Sequence, residues 1–466
     1  MLGELLDGAP RDVDLYAEAV VVGSGAGGAT CARWLAAGGR RVVVVEEGPP
    51  PTPGRDTLDA LSRLYRDAGA STTLSREPMP LLQGRCVGGT TVVNGAIQVP
   101  LPRDVWAGWP EPFQRLAPWE RLEAARARME EELSVRPTPS ALWGGGALMG
   151  RALADARPIH RNAPGCVGHG RCYMGCPEGG KASADRALLP RAMDDGALVV
   201  ARCRVAQVRI TGGRARGVLG RFESGARLRV EAPLVVLAAG AVHTPWLLRR
   251  SGVRGQGRGF MAHPGAGVAG LFPEPLPQGG TQTWEYLAER ARGWKLETMQ
   301  SVGAFKAVKV PGVGARLAER LARLDAVAMW GVACRAEATG RVWPGPVVRY
   351  SPTRRDRQVL LEGVSRAAEA MLEAGAVEVW PGVHGAPAVI TTRDEARALA
   401  TVAPERGVVP MVATHLFGGT RVGPRFEVAG IRGLVAADAS IFPSNTGVNP
   451  MNSITAMATV VAEAWS

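Results

Sequence analysis

The sequence predicts an α/β protein, α+β overall, in which a Rossmann-like dinucleotide-binding domain is discontinuous along the chain and a substrate-binding domain of sheet plus helices fills the gaps. Three observations predict it. Residues 18–28 read EAVVVGSGAGG, an apolar run feeding a glycine turn. Residues 41–48 read RVVVVEEG, a second buried run ending in acids. Residues 235–252, VVLAAGAVHTPWLLRRSG, repeat the pattern of buried strand and then helix in mid-chain.

The first element is a strand, a tight turn and a helix. In the turn Gly23-x-Gly25-x-x-Gly28, the first glycine allows the bend, the second lets the backbone approach a pyrophosphate, and the third packs helix on strand. The helix ATCARWLAAGG is closed by Gly38 and Gly39, and its N-terminus offers unpaired N–H groups to an anion. Glu46, at the end of the second strand, is placed to accept ribose hydroxyls. The motif alone does not separate NAD from FAD.

GRCVGGTTVVNG, residues 84–95, sets paired glycines and threonines in a turn, which suits backbone packed against a flat cofactor. From about Arg354 to Glu373 one helical face carries Leu360, Leu361, Val364, Ala367, Ala368, Met371 and Leu372, with Gly375 as its stop. Nearer the C-terminus, VATHLFGGTRVG (412–423) sets His415 against glycines. GLVAAD then predicts a last strand ending at Asp438. Helical periodicity starts at Pro450, and a residue before proline is held extended, so Asn449 projects just ahead of that helix. An imidazole can take a hydroxyl proton near neutral pH and an amide can hold the oxygen in line, which makes His415 and Asn449 a candidate catalytic pair. A lone histidine is more often a hydrogen-bonded structural residue.

These segments, taken in order, resemble the successive signatures of the glucose-methanol-choline (GMC) flavoprotein oxidoreductases, over nearly the whole chain. The resemblance implies FAD, assumed noncovalent, with Gly23, Gly25, Gly28 and Glu46 at its ADP half. It sets Gly89, Thr90 and Asn94 near the flavin, Asp438 near the ribityl and pyrophosphate, and Pro450 at a helix start facing the flavin's pyrimidine end. His415 matches the family's catalytic histidine, and Asn449 the second member of its active-site pair. The implied reaction is oxidation of an alcohol CH–OH by hydride transfer to flavin N5, with His415 as base and oxygen, a quinone or a cytochrome as acceptor. Within the family, HLFGG with TGVNP resembles the sterol-oxidase branch, while GCPEGGKAS and the 351–379 region resemble long-chain alcohol oxidases and dehydrogenases. The FAD-binding domain is expected at 1–100, 150–262 and 405–466, and the substrate-binding region at 101–149 and 263–404. A non-redox lyase of the cyanohydrin type that keeps FAD as a structural element, and an electron-transfer subunit, are the alternatives.

CVGHGRCYMGCP places Cys166, His169, Cys172, Cys176 and Pro177 on the ferredoxin-like run C-x2-C-x2-C-x3-C-P, with histidine for the second cysteine. An iron-sulfur cluster would need a remote partner such as Cys86 or Cys203. A zinc site, a Cys172–Cys176 disulfide and a glycine-rich loop of packed thiols are the other readings, the last taken as the default. Lys181, just after the loop, is expected to face solvent or cap it.

Composition is that of a globular protein of 466 residues with formal charge +12. All but four of the basic residues are arginines, spread without a dense block, which argues against nucleic acid. No apolar run reaches membrane-span length, and the acidic start lacks the form of a signal peptide, so a cytoplasmic location is expected. ARLAERLARLDA, residues 315–326, aligns Leu317, Leu321 and Leu324 against Arg316, Arg320 and Arg323; an ordinary surface helix is the first reading and peripheral membrane contact the second.

Overall fold

The computed structural model describes residues 4–300 and 304–466. Its first layer is a six-stranded parallel sheet ordered Leu5–Asp7, Leu198–Ala201, Val42–Val45, Ala19–Val22, Leu234–Leu237 and Leu434–Ala436. Every residue of Ala19–Val22, Val42–Val45 and Leu234–Leu237 is buried, which is why these runs read as continuous valine and leucine rather than alternating. Val42–Val45 lies on one side of Ala19–Val22 and Leu234–Leu237 on the other. A crevice therefore opens at the carboxyl end of Ala19–Val22, where ligands bind in such sheets.

The helix Ala26–Ala37 follows that strand and is capped by Gly38, with Gly39 at φ +82°, as the glycine pair predicts. Against it lies Met451–Glu463, tied by Cys31 Sγ to the Ala458 carbonyl (3.3 Å) and Trp34 Nε1 to Thr459 Oγ1 (3.1 Å). The helices between Arg103 and Glu132, expected in the substrate-binding region, belong to this layer instead. Trp109, Phe113, Leu122, Ala125 and Met129 share its core, and Asn452 Nδ2 donates to Glu130 Oε1 at 2.9 Å. Their apolar faces fit the flank of the last helix, a partner that sequence order does not reveal.

The second layer is a nine-stranded sheet built on Arg258–Leu271, which pairs antiparallel with Val327–Cys334, Gly340–Val342, Glu378–Trp380 and Val412–Phe417. Arg354–Glu373 covers it with the expected stripe, started by a capping box between Thr353 and Asp356 and followed by Gly375 at φ +100°. The 405–466 segment is therefore shared: its strand at 412–417 joins this sheet and its strand at 434–436 joins the parallel one.

At 315–326 the helix is short, Gly314–Leu321, and its polarity departs from the expected alignment. Arg320 turns inward to Glu378 (2.9 Å) and over the Trp380 ring (5.8 Å), while Leu321 is exposed. No described helix is long and apolar enough to cross a membrane.

Candidate active site

The glycine turn forms a cradle at the sheet's crevice. Gly23 sits at φ +97°, and a Cβ there would lie 2.4 Å from the Ala238 carbonyl oxygen. A Cβ on Gly28 would lie 1.9 Å from the Gly23 oxygen, so both positions are closed by backbone. A Cβ on Gly25, at the N-cap of the first helix, would meet nothing within 4 Å. Gly25 thus presents bare backbone and a helix N-terminus to open space, which fits a pyrophosphate.

Glu46 lies beside this turn. Its carboxylate accepts from the Ser24 N–H (3.0 Å), the Ser24 hydroxyl (2.7 Å) and the Gly48 N–H (2.8 Å); burial pushes its pKa up and those bonds oppose the rise. Gly89, at φ +54°, packs on Gly25, where a Cβ would come within 3.0 Å of the Gly25 Cα. Thr90 Oγ1 accepts from the Gly84 N–H at 3.0 Å, and Asn94 Oδ1 from the Ala96 N–H at 3.0 Å. Asp438 accepts from the Gly240 and Ser440 N–H groups (2.8 and 2.7 Å) and the Thr244 hydroxyl (2.6 Å), with burial raising its pKa against them. Pro450 is the N-cap of the last helix, one residue ahead of its expected place, and Ser453 Oγ in the first turn is buried without a partner. The open Gly25 face and this orphaned hydroxyl at a helix start are features that fit a bound FAD.

His415 comes from the strand Val412–Phe417 and is registered opposite His263. The two rings meet edge-on, Nδ1 to Nδ1 at 3.1 Å, and the Gly447 N–H donates to His263 Nε2 at 3.0 Å. Gly447 stands two residues before Asn449, so this bond anchors the segment that carries Asn449 beside His263. Burial, then the charge of Lys295, push the His415 pKa down to about 4, with Glu297 opposing; burial and the neighbouring His415 push that of His263 well down too. Both imidazoles are neutral near pH 7.

Besides His263, three further members were missed in the sequence. Lys295 Nζ donates to Asn449 Oδ1 at 2.5 Å and forms a close ion pair with Glu297, whose other oxygen accepts from Gln282 Nε2 at 2.9 Å. Burial opposes ionisation of Glu297, but Lys295 overcomes it and holds the carboxyl below its ordinary range. A lysine only donates, so Asn449 must turn its oxygen to Lys295 and keep Nδ2 as a donor, which also helps hold the Glu297 carboxyl down. All five residues of Trp294–Thr298 are buried. The run WKLET reads as an amphipathic strand with a wet charged face, so only the rarity of lysine, one of four, offered a signal. His263 and Gln282 offered none.

Among the described residues no three His, Cys, Asp or Glu side chains are grouped to bind a metal, at the cysteine run or elsewhere. His169 instead faces Glu178 at 3.5 Å on the surface, and Arg161 reaches both Cys166 and Cys172. Cys86 and Cys203 are buried free thiols elsewhere. Lys181 caps the loop as expected but is buried rather than solvent-facing. Its Nζ donates to the carbonyls of Val92 (2.6 Å), Asn94 (2.9 Å) and Cys172 (3.3 Å).

Comparison with known proteins shows the family and the fold. GMC oxidoreductase family models match residues 61–265 and 336–458, and an FAD binding domain model matches 18–52. A GMC-type oxidoreductase of Mycobacterium tuberculosis is 36% identical, over 96% of this chain and 75% of its own. One of Sinorhizobium fredii is 31% identical over 97% and 95%. A long-chain-alcohol oxidase of Arabidopsis thaliana is 28% identical over 94% of this chain and 65% of its own. Among solved structures, pyridoxine 4-oxidase from Mesorbium loti superposes with TM-score 0.70 at 16% identity, covering 96% of this chain and 98% of that one. A formate oxidase superposes with TM-score 0.71 at 15% identity, covering 98% of each chain. These likenesses concern the fold.

Proposed function

The chain belongs to the GMC oxidoreductase family, with FAD as its cofactor, and on that premise we propose that it oxidises the CH–OH group of an apolar alcohol to an aldehyde or ketone. The supporting observation is a pair of hydrogen-bonded sets, His415–His263–Gly447 and Asn449–Lys295–Glu297, joined by the short backbone step from Gly447 to Asn449 and by the charges of Lys295 and Glu297 acting on His415. Bound FAD supplies the hydride acceptor. Asn449 Nδ2 donates to the hydroxyl oxygen and holds it in line. His415, neutral at working pH, accepts the hydroxyl proton. Lys295 fixes the Asn449 amide and, by its charge, favours oxyanion character on the substrate oxygen. The long-chain-alcohol oxidases among the relatives support a long primary alcohol as substrate and oxygen as acceptor.

The test is anaerobic mixing with primary long-chain, aromatic and sterol alcohols while the visible flavin band is followed. Bleaching by long-chain alcohols is expected, and admitting air then separates an oxidase from a dehydrogenase. No bleaching by any alcohol, in protein shown to carry flavin, overturns the reading in favour of the lyase.

One observation favours a second assignment of the proton. Because the Gly447 N–H occupies His263 Nε2, a neutral His263 carries its proton on Nδ1 and donates it to His415 Nδ1. His415 then bears N–H at Nε2 and meets the substrate oxygen as a donor, and the ionised Glu297 takes the proton. Glu297→Gln decides between them. With Glu297 as base, turnover falls by roughly 10²–10⁴-fold; with His415 as base, it falls far less.

A further inference from the structure

The cysteine loop carries chemistry that the proposed reaction does not use. Arg161 is 4% exposed, and its side chain meets one carbonyl and two sulfurs. Nε donates to the Gly95 carbonyl at 3.3 Å, Nη2 to Cys172 Sγ at 3.4 Å and Nη1 to Cys166 Sγ at 3.7 Å. A buried guanidinium that finds no carboxylate among the described residues needs negative charge beside it. The two sulfurs are the atoms in place to supply it. Lys181 adds a second cation through the Cys172 carbonyl, and the Cys172 N–H donates to Thr281 Oγ1 at 3.2 Å, which fixes the residue. Both cysteines are free thiols; Cys172 is buried, while Cys166 is partly exposed beside Val167, which is 59% exposed.

We propose that Cys172 and Cys166 form a peroxide-reactive dithiol site, with Cys172 as the nucleophilic thiolate held by Arg161 and Cys166 as the thiol that resolves it. The co-reactant is a hydroperoxide, hydrogen peroxide in the simplest case. The Cys172 thiolate attacks the terminal peroxide oxygen, an S–O bond forms, the O–O bond breaks, and the departing oxygen takes a proton and leaves as water or an alcohol. Cys166 sulfur then attacks the sulfenic sulfur; an S–S bond forms, the S–O bond breaks, and hydroxide leaves as water with the Cys166 proton. Two electrons pass from the sulfurs to the peroxide. Burial opposes ionisation of Cys172, yet Arg161 and Lys181 bring its pKa below the ordinary thiol value, in keeping with the geometry. Glycines at 168 and 170, both at positive φ, give the five residues between the two cysteines freedom to close. The site stands apart from the catalytic reading and does not need it.

The test treats FAD-loaded protein with one equivalent of hydrogen peroxide, blocks remaining thiols with N-ethylmaleimide, and maps peptides without reduction. Expected are a Cys166–Cys172 link, reversed by dithiothreitol, and loss of two of the seven free thiols. In Cys166→Ser, dimedone should label Cys172 ahead of the other cysteines, and Arg161→Gln should slow that labelling about tenfold. Labelling spread evenly over the cysteines, or both thiols left free while Cys176 reacts, overturns the proposal. Should Arg161→Gln not fold, alkylation of Cys172 in Cys166→Ser is followed against pH. A rate level from about pH 6 to 8 supports the thiolate, and one rising as for an ordinary thiol near about 8.5 overturns it.

Discussion

The glycine cradle at 23–28 and the histidine cluster around 415 meet their ligands by opposite means. In the cradle the backbone does the work and side chains are kept out: Gly23 and Gly28 touch carbonyl groups and Gly25 is left bare. In the cluster the side chains do the work, each set by a residue distant in sequence, as Lys295 sets Asn449 from 154 residues away and His263 sets His415 from 152. Damage to the cradle should therefore appear as lost flavin, and damage to the cluster as lost turnover with flavin retained.

The largest effect is expected for His415→Ala, with turnover falling by roughly 10²–10⁴-fold while the protein stays yellow. Full activity per flavin in that variant would break the comparison at its functional end. Gly28→Ala comes next. Its Cβ meets the Gly23 carbonyl rather than a movable side chain, so destabilisation of about 1–3 kcal/mol is expected, with reduced flavin content and unchanged turnover per bound flavin. Flavin content on purification and the thermal midpoint check it. Glu46→Gln keeps the shape but weakens the bonds to Ser24 and Gly48; FAD affinity should drop about tenfold, measured by fluorescence titration.

The smallest effect is in the pH profile. With His415 held down at about 4, the acid limb of kcat/KM should lie well below about 6.5, where a free histidine titrates. The same shift has a sign for stability. Between about 6.5 and about 4 the unfolded chain binds a proton that folded His415 refuses, so stability declines as pH falls through that window and levels off below it. An acid limb near 6.5 would mean that the cluster is wetter than its burial implies.

The same contrast explains what was legible in the sequence. The cradle is local: strand, turn, helix and Glu46 lie within thirty residues, and each glycine has its own steric reason. The helix Arg354–Glu373 was equally plain, because its apolar period, cap and glycine stop agree. His415 and Asn449 stood out through the glycines and proline beside them and through the family resemblance. Lys295 and Glu297 did not, since charges alternating with Trp294 and Leu296 describe a solvent-facing strand unless a second layer covers it. That the helices at 103–132 pack on the last helix is hidden for a related reason: amphipathic periodicity reveals that a face is covered, not by what.

The packing of Met451–Glu463 on Ala26–Ala37 bears on how the protein is made. Cys31 and Ala458, in contact, are 427 residues apart, and the edge strand Leu434–Ala436 completes a sheet begun at Leu5. A ribosome that has already released the glycine cradle must translate more than four hundred further residues before that cradle gains its last wall. A nascent chain stopped short of residue 434 should emerge with its front valine strands uncovered and should depend on chaperones. Flavin capture then follows translation past residue 458 rather than marking an early folding step.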